Sequence, residues 1–360
     1  MPLTLLSALA AFLISLVFTP LMRRLAIRFG VIAVSNHRTI HASTVPKLGG
    51  VAIALAFAAG GLILHPTASE TELGAGLLIG AGMVMLLGLF DDIYVLSCYT
   101  KLAVQTMAAT LAVTHGFVIQ TIDLPLAATL DLGVWAFPVS VFWIVSVTNA
   151  LNLLDGLDGL AAGFSVLAGT LILIVAGMTG NAAVAAAAMV FVGATLGFLK
   201  YNLPPARIFM GDSGSLFLGF CLACLSMNVF TFGESGTHLG ALLVPFGIPL
   251  IDTTLAVVRR ISERHHPFWA DKKHIHHRLL DLGFRQLSAI LIIYAVTILL
   301  AVVSLVLLFI NLEQSLLILG GLFFPFVVGL FHLGCFDFLA RRDAFEQPGG
   351  REVKKREPVR

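Results

Sequence analysis

Apolar residues along this chain come in long unbroken runs. They show neither the alternation of a half-buried strand nor the single stripe of a soluble helix. A helix needs roughly 20 mostly apolar residues to cross a bilayer. Runs of that kind cover 3–22, 48–64, 73–90, 102–118, 134–151, 160–178, 182–199, 215–232, 239–258, 287–310 and 315–338. The pattern predicts an all-α polytopic membrane protein of about eleven transmembrane helices. Small residues recur inside the runs, as at Gly74, Gly76, Gly80 and Gly82, and this suits close helix packing in lipid. The first run has no basic stretch before it and is expected to remain as a span rather than be cleaved as a signal peptide.

Composition supports the same class. Of 360 residues, 58% are apolar and only 12% are Asp, Glu, Lys or Arg, with a mean hydropathy of +0.97. A soluble domain carries about a quarter charged residues, so a soluble globule, a disordered chain and a secreted disulfide scaffold are excluded. Cys221 and Cys224 form a C-x-x-C inside an apolar run and are expected to pack helices, as are Cys98 and Cys335. The net charge of +2 gives no reason to expect nucleic acid.

Charge placement sets the orientation. The connections 23–47, 91–101, 152–159, 200–214, 259–286 and the tail 339–360 hold all 22 Lys and Arg. The alternate connections hold none. Basic loops stay in the cytoplasm, which places the N-terminus outside and the C-terminus inside. The longest outer loop alternates apolar and polar residues around Pro125 and is expected to form a small hairpin. The chain divides into a membrane domain, 1–338, and a basic tail, 339–360, expected to be disordered and drawn to anionic lipid.

A transporter would place charges near the bilayer midplane. Here they gather at the cytoplasmic helix ends. Asp91 and Asp92 close the third run, with Lys101 the only base in that loop. Two adjacent carboxylates need a cation nearby, unless they simply solvate a helix end. Asn152, Asp155 and Asp158 recur at threes, so on a helix they would share an edge. Oxygen donors of that kind suit Mg²⁺ or Mn²⁺; capping is the alternative. Phe209-Met-Gly-Asp212-Ser-Gly-Ser precedes the eighth run. Its glycines allow turns whose N–H groups face an anion at a helix start, or Asp212 or Ser213 acts as a plain N-cap. Phe209 is placed to stack on a base or to pack. The loop after the ninth run holds His265, His266, His274, His276 and His277 beside Lys272, Lys273 and Arg278. With no loop cysteine, a polyphosphate clamp fits better than zinc. Asp252, inside the ninth run, is expected to pair with Arg259 or Arg260 and so to orient the loop. Together these groups point to phosphoryl transfer between a soluble and a lipid-borne reactant, which needs positioning, a divalent ion and cationic clamps.

From Pro46-Lys-Leu-Gly-Gly50 to His277-Arg-Leu, the motifs resemble those of the polyprenyl-phosphate N-acetylhexosamine-1-phosphate transferases, in family order. The resemblance implies about eleven transmembrane helices around a cytoplasmic active-site cleft in the bacterial inner membrane. It implies transfer of GlcNAc-1-phosphate from a UDP-sugar to undecaprenyl phosphate with Mg²⁺ or Mn²⁺, releasing UMP and starting an O-antigen, common-antigen or teichoic-acid type glycan. The implied metal residues are Asp212 and Asn152. Asp155, Asp158, Asn202 and Phe209 fall to the nucleotide, and His274, His276, His277 and Arg278 to its diphosphate. Lys101 faces the lipid phosphate, and Asp91 and Asp92 are the catalytic acidic pair with Asp212. The sequence His274-Ile-His276-His277 favours UDP-GlcNAc. Another UDP-2-acetamido sugar and UDP-MurNAc-pentapeptide are the alternatives, and a transporter or an inactive scaffold is more remote. At His37-Arg38-Thr-Ile-His41 the chain departs from relatives, which puts a sugar contact from that loop in doubt. The partners are UDP-sugar, undecaprenyl phosphate and the bilayer; a homodimer is left open.

Overall fold

The computed structural model describes residues 2–33, 45–64, 71–123, 130–229, 237–264, 273–310 and 312–336. The tail, the 37–41 motif, His265, His266, Asp271 and Lys272 lie outside these. Helices lie over every long apolar run: α1 Pro2–Phe29, α2 Gly49–Leu64, α3 Thr71–Tyr94, α4 Cys98–Thr114, α5 Ala136–Leu154, α6 Leu160–Met178, α7 Ala182–Asn202 and α8 Gly211–Met227. They continue as α9 Leu239–Leu243, α10 Gly247–Ser262, the short α11 Ile275–Asp281, α12 Gln286–Leu307 and α13 Leu312–His332. Among the described residues, eight helical stretches are long and apolar enough to cross a bilayer, and α2 and α8 are shorter apolar helices. The protein is an all-α multi-pass membrane protein.

The helix α8 is the axis of the bundle. Every residue from Ser213 to Met227 is buried, including Cys221 and Cys224, so the C-x-x-C packs as expected. Helices α2, α3, α5 and α6 pack around it, and α1 and α7 close the next layer. A helix apolar on all sides belongs in such an interior position. Its neighbours approach closely because they present glycine. A Cβ on Gly88 of α3 would run into the backbone of Asp212 and Ser213, and one on Gly50 of α2 into that of Gly214. By contrast, α13 turns Phe323, Phe324 and Phe331 outward, as expected where lipid is the solvent.

Two boundaries differ from the apolar pattern. The ninth run is not one helix. A 3-10 turn at Val244–Phe246 separates α9 from α10, since Pro245 interrupts the backbone ladder. Ser304 on α12 then donates to the Ala241 carbonyl at 2.9 Å. The helix α8 begins at Gly211, four residues ahead of the apolar run; the cause lies in the site.

The hairpin after α4 forms. Strand β3 (Thr121–Asp123) pairs antiparallel with β4 (Leu130–Asp131). A parallel strand from a later connection, Thr237–His238, joins them. A second small pair joins Ile32–Ala33 to Val45–Pro46.

Candidate active site

At the opposite end of the bundle from that sheet, the chain ends of α3, α5 and α7 meet the starts of α4, α6 and α8. The two adjacent acids diverge there. Asp91 accepts from the Leu96 amide at 2.7 Å and from Lys101 Nζ at 3.0 Å. The same ammonium reaches Asp212 Oδ2 at 3.1 Å. Lys101 therefore bridges α3 to α8, with 26% of its side chain exposed against 11% for Asp91 and 28% for Asp212. Asp92 points the other way. Its Oδ1 accepts from the Asp212 amide at 3.0 Å and its Oδ2 from the Ser213 amide at 3.1 Å.

This corrects the reading of the Phe-Met-Gly-Asp motif. The first N–H groups of α8 face a protein carboxylate from another helix, so they do not form an open anion cradle, and neither Asp212 nor Ser213 caps its own helix. A carboxylate at a helix start satisfies unpaired donors and the positive dipole end together. Given that cap, α8 can begin inside the polar motif. Gly211 makes the entry possible: its φ is +71°, and a Cβ there would collide with the Asp92 carboxylate.

Asn152, Asp155 and Asp158 do not share a helix edge. The helix α5 stops at Leu154, Asp155 caps it, and Gly159 at φ +78° turns the chain into α6. The three side chains consequently separate. Asn152 Nδ2 donates to Ser215 Oγ at 2.8 Å on α8. Asp158 accepts from the Ala206 amide at 2.9 Å. Asp155 remains at the acid cluster, where burial, then the charges of Asp212 and Asp92, push its carboxyl up to about 8. Asn202 is 2% exposed and spans two loops, accepting from the Gly159 amide and donating to the Ile208 carbonyl, both at 3.0 Å. Phe209 is half-buried, and its backbone is held by Pro46 and Gly49.

The histidine segment follows α10. Asp252 does not pair with Arg259 or Arg260. Its Oδ2 meets His274 Nδ1 at 3.0 Å and its Oδ1 accepts from the Ile275 amide at 3.0 Å. The buried acid thus starts α11 and orients the first histidine. The rings of His274 and His276 stack, and His276 and His277 lie 4.3 Å apart between centroids. His276 is 2% exposed and neither ring nitrogen has a hydrogen-bond partner. Its ring abuts Gly156, in the turn beside Asp155. Burial, then the neighbouring His277, drives its imidazole down to about 3. Arg278 donates to the Leu333 carbonyl at 2.9 Å and so also ties α11 to the end of α13.

Of the residues the sequence singled out, the structure brings Asp91, Asp92, Lys101, Asn152, Asp155 and Asp212 together. The sequence reading missed the bracing role of Ser215, it foresaw that Asp252 orients the loop but named the wrong partner, and it gave no role to Lys47. Only the unusual position of Asp252, an acid within an apolar run, signalled its importance.

A model of the glycosyl transferase family 4 matches residues 75–230, the stretch containing the acid cluster. A protein of Bacillus subtilis described as a probable undecaprenyl-phosphate N-acetylglucosaminyl 1-phosphate transferase is 36% identical over 326 residues, covering 89% of each chain. The chain belongs to this family of polyprenyl-phosphate sugar-1-phosphate transferases. A decaprenyl-phosphate N-acetylglucosaminephosphotransferase of Mycolicibacterium smegmatis is 34% identical over 79% of this chain and 77% of its own. A phospho-N-acetylmuramoyl-pentapeptide-transferase of Clostridioides difficile is 28% identical over 84% and 97%.

Proposed function

We propose that the protein transfers GlcNAc-1-phosphate from UDP-GlcNAc to undecaprenyl phosphate at the cytoplasmic face of the bacterial plasma membrane, through a bundle of eleven spans. The observation that carries this is the convergence of Asp91, Asp92, Lys101, Asn152, Asp155 and Asp212, from separate connections, at one bundle end. The 36% and 34% identity to the two N-acetylglucosaminyl relatives named above, against 28% to the muramoyl one, supports the sugar.

The donor set fits a hard divalent ion such as Mg²⁺ or Mn²⁺. Asp212 offers a part-exposed carboxylate, and Asn152 keeps its amide oxygen without a hydrogen bond while its nitrogen is spent on Ser215. Among the described residues no three acidic, His or Cys side chains gather to hold an ion. Mg²⁺ is usually held by one or two carboxylates plus substrate phosphates and water, so two protein groups suffice. When bound, the ion neutralises charge on the transferring phosphoryl group.

The side chains do the rest. Lys101 draws the lipid phosphate toward the donor. That phosphate has a second pKa near ~6 and is mostly dianionic at neutral pH, so Asp91 need not act as a strong base; it holds Lys101. An oxygen of the lipid phosphate bonds to the sugar-bearing phosphorus, and the bond from that phosphorus to the bridging oxygen breaks, releasing UMP. Asp212, tied to Lys101, is a poor covalent nucleophile, which favours this direct displacement. Phe209 stacks on the uracil. Asn202 and Asp158 act by fixing the loops around it. His276 and His277 lie toward the diphosphate. The test is purified protein with undecaprenyl phosphate, Mg²⁺ and a panel of UDP-sugars, scored by UMP release. UDP-GlcNAc should be used best; turnover confined to UDP-MurNAc-pentapeptide, or none at all, would overturn the reading.

A further inference from the structure

The segment Val45–Gly50 is laced to the Phe209 motif by backbone bonds. The Phe209 amide donates to the Pro46 carbonyl at 2.8 Å, the Gly49 amide to the Phe209 carbonyl at 3.0 Å and the Gly50 amide to the Met210 carbonyl at 2.9 Å. On its other side the Lys47 amide donates to the Val31 carbonyl at 3.1 Å. Both neighbours of Lys47, Pro46 and Leu48, are buried, while Lys47 itself is half-buried. The backbone at this lysine is therefore fixed from two directions.

Its ammonium makes no ion pair with the described residues, yet its charge acts on both Asp92 and Asp155. Lys101 is committed instead to Asp91 and Asp212. The acid cluster is thus served by two lysines, each acting on a different pair of acids. We infer that Lys47 binds the diphosphate of the nucleotide-sugar donor, leaving Lys101 for the phosphate of the acceptor. The inference rests on the transfer reaction proposed above and assigns the two cations within it.

Three features place Lys47 with the donor. It lies between the two residues that pin the backbone of Phe209. Its charge reaches Asp155, at the turn where His276 abuts Gly156 with both ring nitrogens unpartnered. It is separate from the Asp91–Lys101 bridge. In displacement at phosphorus, charge spreads over the equatorial oxygens and the departing oxygen. A fixed ammonium beside that oxygen offsets the charge without giving up a proton. The electron pair of the broken bond leaves with UMP, so the step balances with no further reactant.

Lys47→Met, Lys47→Gln and Lys47→Arg test this in the full-length protein. A charge-assisted contact to phosphate has a magnitude that predicts a rise of about tenfold or more in the KM for UDP-GlcNAc in the Met variant. Inhibition by UDP should weaken equally, inhibition by uridine should not, and the KM for undecaprenyl phosphate should hold. Lys47→Arg should recover much of the loss. Gel filtration and thermal unfolding in detergent check the fold, and Lys47→Gln carries the comparison if the Met variant does not fold. Native donor KM and UDP inhibition, or a change confined to the lipid acceptor, would overturn the assignment. Failure of the parent reaction is separable: the wild-type protein would release no UMP from any UDP-sugar, and the shift in unfolding temperature caused by UDP would still report on Lys47.

Discussion

At the residue scale, the site is built from side chains with one task each. Asp212 is the part-exposed acid facing Lys101, and that part-exposed ion pair is its carboxylate's tie to the neighbouring helices. Asp212→Asn should therefore cut UMP release by at least about 100-fold, as loss of a group that neutralises developing charge does, while the variant elutes and unfolds like the wild type. Near-native turnover would move the chemistry elsewhere. His276 differs, because it is buried and its pKa is lowered. Its imidazole titrates near 3 when folded against an ordinary 6.5. Between those values the unfolded chain binds the extra proton, so its contribution to stability is whole above about pH 6.5 and shrinks as pH falls. The slope is up to about 1.4 kcal/mol per pH unit. His274, His277 and Asp252 surround it. The measurement is thermal unfolding at pH 7.5 and 5.5 in wild type and His276→Gln. The wild type should lose more stability in acid; an equal loss in both would show that His276 is not the group responsible.

At the element scale, the start of α8 decides how the site is assembled. Its first amides depend on Asp92 from α3. Asp92→Ala should cost about 1–2 kcal/mol, the range for a lost helix cap, and lower the unfolding temperature in detergent; Asp92→Asn, which keeps one acceptor, should cost less. Were Asp92 a free base, unfolding would not change. Gly88→Ala should cost about 1–3 kcal/mol through overpacking, since its Cβ would meet the backbone of Asp212, whereas Gly82→Ala meets nothing within 4 Å and should be silent. These contacts mark the limit of legibility. Run length and apolarity located the long helices, because crossing lipid imposes both. The residue types at Asp91, Asn152 and Asp212 pointed to the chemistry proposed. Three features remained hidden: the cap of α8 by an acid 120 residues earlier, the match of Asp252 to His274 and the hold of Val45–Gly50 on Phe209. Each is set by how helices lie against one another, and no local spacing encodes that. The edge shared by Asn152, Asp155 and Asp158 failed for a local reason instead: Gly156 and Gly159 end the helical repeat before it can align them.

At the scale of the whole molecule, the site must face the compartment that supplies its nucleotide-sugar. The bundle fixes which groups share an end: the carboxylate cluster lies with the ends of α3, α5 and α7, and the strand pair Thr121–Asp123 and Leu130–Asp131 lies at the far end. The described Lys and Arg belong to connections on the side of the first group, and if basic loops stay in the cytoplasm that end faces inward. Two exposed positions test this. Gln120 adjoins the sheet, and Arg285 precedes α12 at the basic end. In a Cys98→Ser background, where the remaining cysteines are buried, Gln120→Cys should react with a membrane-impermeant maleimide on intact cells. Arg285→Cys should react only after permeabilisation. The reverse pattern would put the acid cluster outside, away from cytosolic nucleotide, and the proposed donor would have to be abandoned even with every distance in the site unchanged.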